Sequence, residues 1–147
     1  PYGHPRSTDL DVDTAYLVRK LRAGADFAIA QLCFNADDFL RLRDRVAKRG
    51  CDAPLLPGIL PVTTPKVLHK SVELSGAPVP PAMAARLEPH VDDPVGFRAE
   101  GMNLTTELCQ RLLAEGVPIL HFYTFNRARA TKEVLGRLGL VPTRVGP

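Results

Sequence analysis

Long hydrophobic runs are missing from this chain, and with them most of the short motifs that mark a familiar chemistry. No apolar stretch approaches the roughly 20 residues that a membrane-spanning helix needs, so a bilayer span is not expected. The opening PYGHPRSTDL lacks a basic region followed by an apolar one and does not read as a secretory signal. Cysteine is scarce: Cys33, Cys51 and Cys109 are odd in number and far apart. They suit neither a disulfide framework nor a zinc site, and a reducing cytoplasm is the simplest compartment. His4, His69, His90 and His121 are equally scattered, and no H-x-x-x-H or C-x-x-C pair exists, which argues against a metal site. G-x-G-x-x-G and Walker loops are absent too. Charge of one sign is also lacking. Nineteen Lys+Arg against 16 Asp+Glu leave +3, and stretches such as RLRDRVAKRG mix the signs. That pattern suits a solvated helix face and gives no reason to expect nucleic acid.

What the 147 residues do contain is a repeated phrase. Helical stretches end in Gly24, Gly50 and Gly116, where a left-handed residue closes a helix, and short apolar runs follow. Those runs, near 27–33, 54–60 and 118–123, are continuously apolar, as strands covered on both faces are. Asp9 or Asp11 opens a helix whose Leu10, Thr14, Leu17 and Leu21 share a face. Asn35 caps a second over 36–49, with Asp37 and Asp38 in its first turn. Thr63 or Thr64 caps a third, with Pro65 at its first position. A short helix over Pro81–Leu87 precedes a longer one from about Pro94 to Ala114, and NRARATKEVLGRLGL forms the last. The tail 141–147 reads as frayed. Strands alternating with helices imply a parallel sheet. Three strands, with the stub of another near the N-terminus, are too few for a closed (β/α)8 barrel, which typically runs to about 250 residues. The chain reads as the C-terminal half of such a TIM barrel, about strands 5/6 to 8, forming a single partial domain over residues 1–147. A small complete α/β domain is the alternative, but it would leave long apolar sheet edges bare.

In such barrels chemistry collects where strands end, and here those ends read YGHP, AQLCFN, PGILPV and HFYTFNR. Gln31 interrupts an apolar strand. A buried amide left unbonded costs on the order of 1–3 kcal/mol, so Gln31 is either a satisfied core amide or a ligand-reading one. Tyr123 and Arg127 follow the last strand. They are either a rim tyrosine and a surface arginine, or a pair that holds a flat, anionic ligand. Asp13, Tyr16 and Lys20 share one helix face beside Arg19, an arrangement that solvation alone would explain. Gly58 sits between two prolines and suits either a strand kink or a close ligand.

Taken together, GHP at 3–5, AGADFAIAQLCFN at 23–35, FLRLRDR at 39–45, PGILPV at 57–62, LSGAPVP at 74–80, TTELCQRLLAEGVPILHFYTFNR at 105–127 and the LGL ending resemble the C-terminal half of methylenetetrahydrofolate reductases. The resemblance implies a flavoprotein barrel that takes hydride from NADH or NADPH onto FAD and passes it to 5,10-methylenetetrahydrofolate, forming 5-methyltetrahydrofolate. Carried over by position, His4, Ser7, Asp13, Tyr16, Arg19 and Lys20 would contact FAD. Gln31 would serve the folate and nicotinamide position over the flavin ring, and Tyr123 and Arg127 would shape the folate site.

Departures accompany the likeness. Ser71 stands where the family often has a stacking aromatic, Val67 where it has a folate-associated glutamine, and Asn35 where aspartate is common. The family's folate-protonating acid and flavin-tuning aspartate belong to early strands, so no catalytic residue is assigned in this half. The implied partners are methylenetetrahydrofolate and the N-terminal half of the barrel, with a homo-oligomer as an option. The competing reading is a non-catalytic half-barrel or pairing module.

Overall fold

The computed structural model of the chain describes Tyr2 and residues 9–140. Its elements, in chain order, are α1 (Leu10–Arg22), β1 (Ala28–Leu32), α2 (Ala36–Ala47), β2 (Leu55–Ile59), α3 (Pro65–Ser75), α4 (Pro81–Leu87), a single 3-10 turn (Glu88–His90), α5 (Pro94–Ala114), β3 (His121–Phe122) and α6 (Ala128–Arg137). The strands form one parallel sheet in the order β1-β2-β3. His4, Ser7, the N-terminal strand stub and the tail 141–147 lie outside the described residues.

The helices begin where side chains can take up the first free backbone N–H groups. Asp9, rather than Asp11, caps α1 by accepting from Asp11 N at 2.7 Å. Asn35 accepts from Asp37 N at 3.0 Å, and Thr64 from Val67 N at 3.1 Å. Gly24, Gly50 and Gly116 take positive φ after their helices. The buried stripe of α1 is Thr14, Val18 and Leu21, while Leu10 is exposed and Leu17 half-buried. The buried Thr14 hydroxyl explains this rotation. It donates to Leu10 O at 2.6 Å and accepts from Arg45 Nε at 3.2 Å, tying α1 to α2.

One side of the sheet is fully dressed. Ala30, Cys33, Leu55 and Ile59 join Val18 and Leu21 of α1, Phe39 and Val46 of α2, Met102, Cys109 and Leu112 of α5 and Val134 of α6 in one apolar cluster. The other side is bare by comparison. Strand alternation and the pairings Ile29↔Leu56 and Gly58↔His121 place Ile29, Gln31, Leu56, Gly58 and His121 there. Ile29 is 43% exposed and Gln31 is exposed.

Only β2 is buried along its whole length. The continuous burial expected of all three strands fails in β1, because β1 is an edge strand among the described residues and only its end, at Leu32, is covered on that side, leaving Ile29 and Gln31 exposed. β3 is shorter than the expected 118–123. Val117 spends its N–H on Leu112 O at 3.0 Å to close α5, and Pro118 has no N–H to give. Pairing nonetheless continues past β3, where Tyr123 N donates to Ile59 O at 2.8 Å.

A second cluster, Val62, Met83, Leu87 and Phe97, seats α4 against α5 and the loop after β2. That loop is gripped closely. A Cβ at Gly101 of α5 would lie 2.0 Å from Val62 O, and Thr105 Oγ1 accepts from Val62 N at 3.3 Å. Helix and loop meet through the Gly101 main chain and the Thr105 hydroxyl.

Candidate functional site

Two strand ends and one helix start build the site. β2 runs into Leu60 and Pro61 and then into the cap of α3. β3 runs into Tyr123, Thr124 and a tight turn, and α6 follows. In that turn Arg127 N donates to Thr124 O at 2.8 Å, while Phe125 and Asn126 take φ of 46° and 61°. Asn tolerates the left-handed region; Phe does so at a cost of roughly 1–3 kcal/mol. The turn swings Phe125 and Arg127 toward the start of α3.

Two adjoining cavities result. The larger, about 560 Å³, lies between the start of α3 and the β3–α6 turn; Tyr123, Thr124, Phe125, Arg127, Lys66, Val67 and Lys70 are among its walls. Its size is that of an ordinary small-molecule pocket. The smaller, about 120 Å³, lies between the end of β1 and α3 and is lined by Gln31, Leu32, Ser71, Leu74 and Ser75, among others. Leu60, Tyr123 and Phe125 face both. Gln31, Tyr123 and Arg127 therefore meet around one shared aromatic partition.

Tyr123 is held from two directions. His121 packs edge-on against its ring, with centroids 4.9 Å apart. Gly58 lies beneath it: a Cβ there would come within 2.8 Å of Tyr123 Cε2 and 2.7 Å of Ala30 O. Gly58 therefore makes room for the tyrosine ring and the neighbouring strand, and the choice between a kink and a close ligand gives way to a third reason. Gln31 also differs from expectation. It is not a buried amide that must be satisfied. Its Oε1 accepts from Leu32 N at 2.9 Å, and its NH₂ group makes no hydrogen bond among the described residues.

The α1 residues stand apart. None of Asp13, Tyr16, Arg19 and Lys20 lines either cavity. Tyr16 is exposed with the Arg19 guanidinium 4.7 Å above its ring, Lys20 is exposed, and Asp13 is half-buried. The file from residue 13 to 20 spans about 10 Å of helix. Its exposed cations and aromatic face suit an extended anionic group lying along the helix, so the donor set fits the diphosphate and adenosine portion of a dinucleotide.

Three features at the site were not read from the sequence. Phe125 divides the cavities, and Lys66 and Lys70 bring charge to the larger one. Val67 and Ser71, noted only as departures, line the larger and the smaller cavity respectively. The signal for the lysines was present: they stand one turn apart in a helix with no acid in its first turn. Below the site, burial pushes the Cys33 and Cys109 thiols up to about 12, so neither is a nucleophile at neutral pH. The Tyr2 hydroxyl donates to Asp38 Oδ2 at 2.9 Å, and burial first, then that carboxylate, raises its pKa. Among the described residues no helix is long and apolar enough to cross a membrane, and no group of His, Cys, Asp and Glu could hold a metal ion.

The fold and site together define a parallel α/β unit that offers a divided pocket at the carboxyl ends of its strands. Comparison with known proteins specifies which. The family model for methylenetetrahydrofolate reductase matches residues 1–139, and the chain belongs to that family. It is 34% identical over 147 residues to methylenetetrahydrofolate reductase 1 of Schizosaccharomyces pombe, covering 100% of this chain and 24% of that protein. It is 35% identical over 142 residues to the 5,10-methylenetetrahydrofolate reductase of Escherichia coli K12, covering 97% of this chain and 48% of the relative. The chain thus spans about half the length of the bacterial relative and about a quarter of the fungal one. Among solved structures, an uncharacterized Clostridium thermocellum protein described as binding two copies of 5-methyl-5,6,7,8-tetrahydrofolic acid aligns with TM-score 0.54 at 14% identity. That alignment covers 86% of this chain and 47% of the other, a likeness of fold.

Proposed function

We propose that this chain forms the C-terminal half of an FAD-binding (β/α)8 barrel, and that the protein containing it reduces 5,10-methylenetetrahydrofolate to 5-methyltetrahydrofolate with NADH or NADPH. The observation that carries this reading is the convergence of Gln31, Tyr123 and Arg127 on adjoining cavities in a chain of this family. The bare sheet face and the free edges of β1 and β3 are the surfaces that a preceding half-barrel would cover.

In this assignment each residue positions the ligand. The free NH₂ of Gln31 donates to the edge of a heterocycle. Tyr123 and Phe125 supply the ring faces against which a flat ligand lies. Arg127 takes a carboxylate in a two-pronged bond. Asp13, Tyr16, Arg19 and Lys20, with His4 and Ser7 from the segment outside the described residues, hold FAD, and the two cations offset its phosphate charge. Bound flavin supplies the hydride chemistry. The acid that protonates folate belongs to the preceding half, so the 147 residues alone are inactive.

Visible absorbance of the intact protein tests the assignment. A flavin band that bleaches with NADH or NADPH and returns with methylenetetrahydrofolate is the expected result. A band that neither nucleotide bleaches would overturn it.

A further inference from the structure

The ring of Tyr123 faces both cavities, yet no hydrogen bond sets its position. Its hydroxyl makes none among the described residues. The main chain is pinned, because Tyr123 N donates to Ile59 O at 2.8 Å, but the side-chain torsions leave the ring free to tilt about that anchor. Packing alone therefore decides where the ring stands. Gly58 gives it a floor, since a Cβ there would come within 2.8 Å of Tyr123 Cε2. Gly58 is also the register partner of His121 across β2 and β3. The tyrosine ring leans into the gap that the glycine leaves, and the imidazole stands beside it, with 4.9 Å between ring centroids and 85° between ring planes.

The fold itself asks little of the His121 side chain. It is half-buried on the bare face, lines neither cavity, and makes no hydrogen bond or ion pair among the described residues. Its contact with Tyr123 is directional. In an edge-on pair the positive rim of one ring meets the negative face of the other, so the contact resists tilting as well as sliding. We propose that His121 is a positioning residue for ligand binding: its imidazole fixes the tilt of the Tyr123 ring, and Tyr123 carries that setting to the ligand. This deepens the reading above, in which the folate lies against Tyr123, and rests on it. His121 itself touches neither the folate nor the flavin.

The test is a double-mutant cycle on 5-methyltetrahydrofolate binding, read as Kd in the intact protein. His121→Ala should weaken binding about 3- to 10-fold, the size of one edge-on aromatic contact. His121→Phe keeps a flat edge and discards both ring nitrogens, and should bind within about twofold of the parent. In a Tyr123→Ala background His121→Ala should cause no further loss, because a residue that acts through another has nothing left to act on. Flavin retention on dilution should not change in either His121 variant. Unchanged affinity in His121→Ala would overturn the proposal, and so would equal losses from the alanine and phenylalanine variants. Losses from His121→Ala and Tyr123→Ala that simply add would overturn it too, as would loss of flavin from His121→Ala. In each of these cases the folate assignment stands. Failure of the parent to bind the compound would overturn both.

Discussion

The two faces of the three-stranded sheet are made from the same strands and could hardly differ more. On the dressed face Phe39, Ile59, Cys109, Leu112 and Val134 are each no more than 0% exposed, and helices from the whole length of the chain contribute. On the bare face stand a 43% exposed isoleucine, an exposed glutamine, a glycine and a half-buried histidine, with Leu56 alone of its larger apolar side chains buried. Apolar residues were placed on the first face for cohesion. The second leaves Ile29 and Gln31 in solvent, and it ends in the cavities. Where that exposure begins, the two cavities open.

The difference can be broken by truncation. Phe39→Ala should cost about 3–5 kcal/mol, read as a fall in the urea midpoint. Ile29→Ala sharpens the contrast. If a preceding half-barrel covers the bare face, the same truncation in the intact protein costs about 2–4 kcal/mol. A cost near zero would mean that the face stays wet and that no barrel closes over it.

Smaller effects probe the rim. Gly58→Ala must displace either Tyr123 or the β1 backbone, and overpacking of this kind costs roughly 1–3 kcal/mol. Folate affinity should fall with it, and unchanged affinity would show that Tyr123 is not the partition it is taken to be. Arg127→Ala should weaken folate binding about 10-fold, as loss of a charged hydrogen-bonded partner does, while flavin retention on dilution is unaffected. Equal losses in both titrations would contradict its assignment.

The dressed face also has a pH signature. Burial lifts the Cys33 and Cys109 thiols from an ordinary 9.0 to about 12. A group whose folded pKa is raised gives stability that is complete below its unfolded value and is lost as pH climbs through the folded one. Stability should therefore decline between about pH 9 and 12. At pH 8 iodoacetamide should label these two thiols only as fast as the chain opens, and rapid labelling would show that the core is not closed. Least of all should the surface matter. Glu133→Gln removes ion pairs to Arg98 and Arg137, yet the midpoint should move by less than about 1 kcal/mol in equivalent stability, because such exposed pairs are screened.

Much of this was legible in the sequence because its causes are local. Asn35 before two aspartates, Thr64 before Pro65 and glycines after basic runs each fix a helix end within a few residues, and those helices lie where the pattern puts them. Gln31, Tyr123 and Arg127 were legible for another reason: they are polar where apolar runs end, and β1 and β3 deliver them to the same end of the sheet. The failures are all non-local. Burial of β1 depended on what covers it, which periodicity cannot report. The role of Gly58 depended on a ring that arrives from the far end of the chain. Lys66 and Lys70 look like any solvated helix charges until α6 is seen to begin across from them.

The grip of α5 on the loop after β2 joins a main-chain contact to one short side chain, since Gly101 touches the Val62 carbonyl and the Thr105 hydroxyl holds its amide. The loop leading into the larger cavity is thus seated by two small residues, Gly101 and Thr105, that leave little room for exchange. Any widening or narrowing of what the cavity accepts has to be written into its flanks, at positions such as Lys66, Val67 and Phe125. Ligand preference can therefore drift while the scaffold beneath stays put.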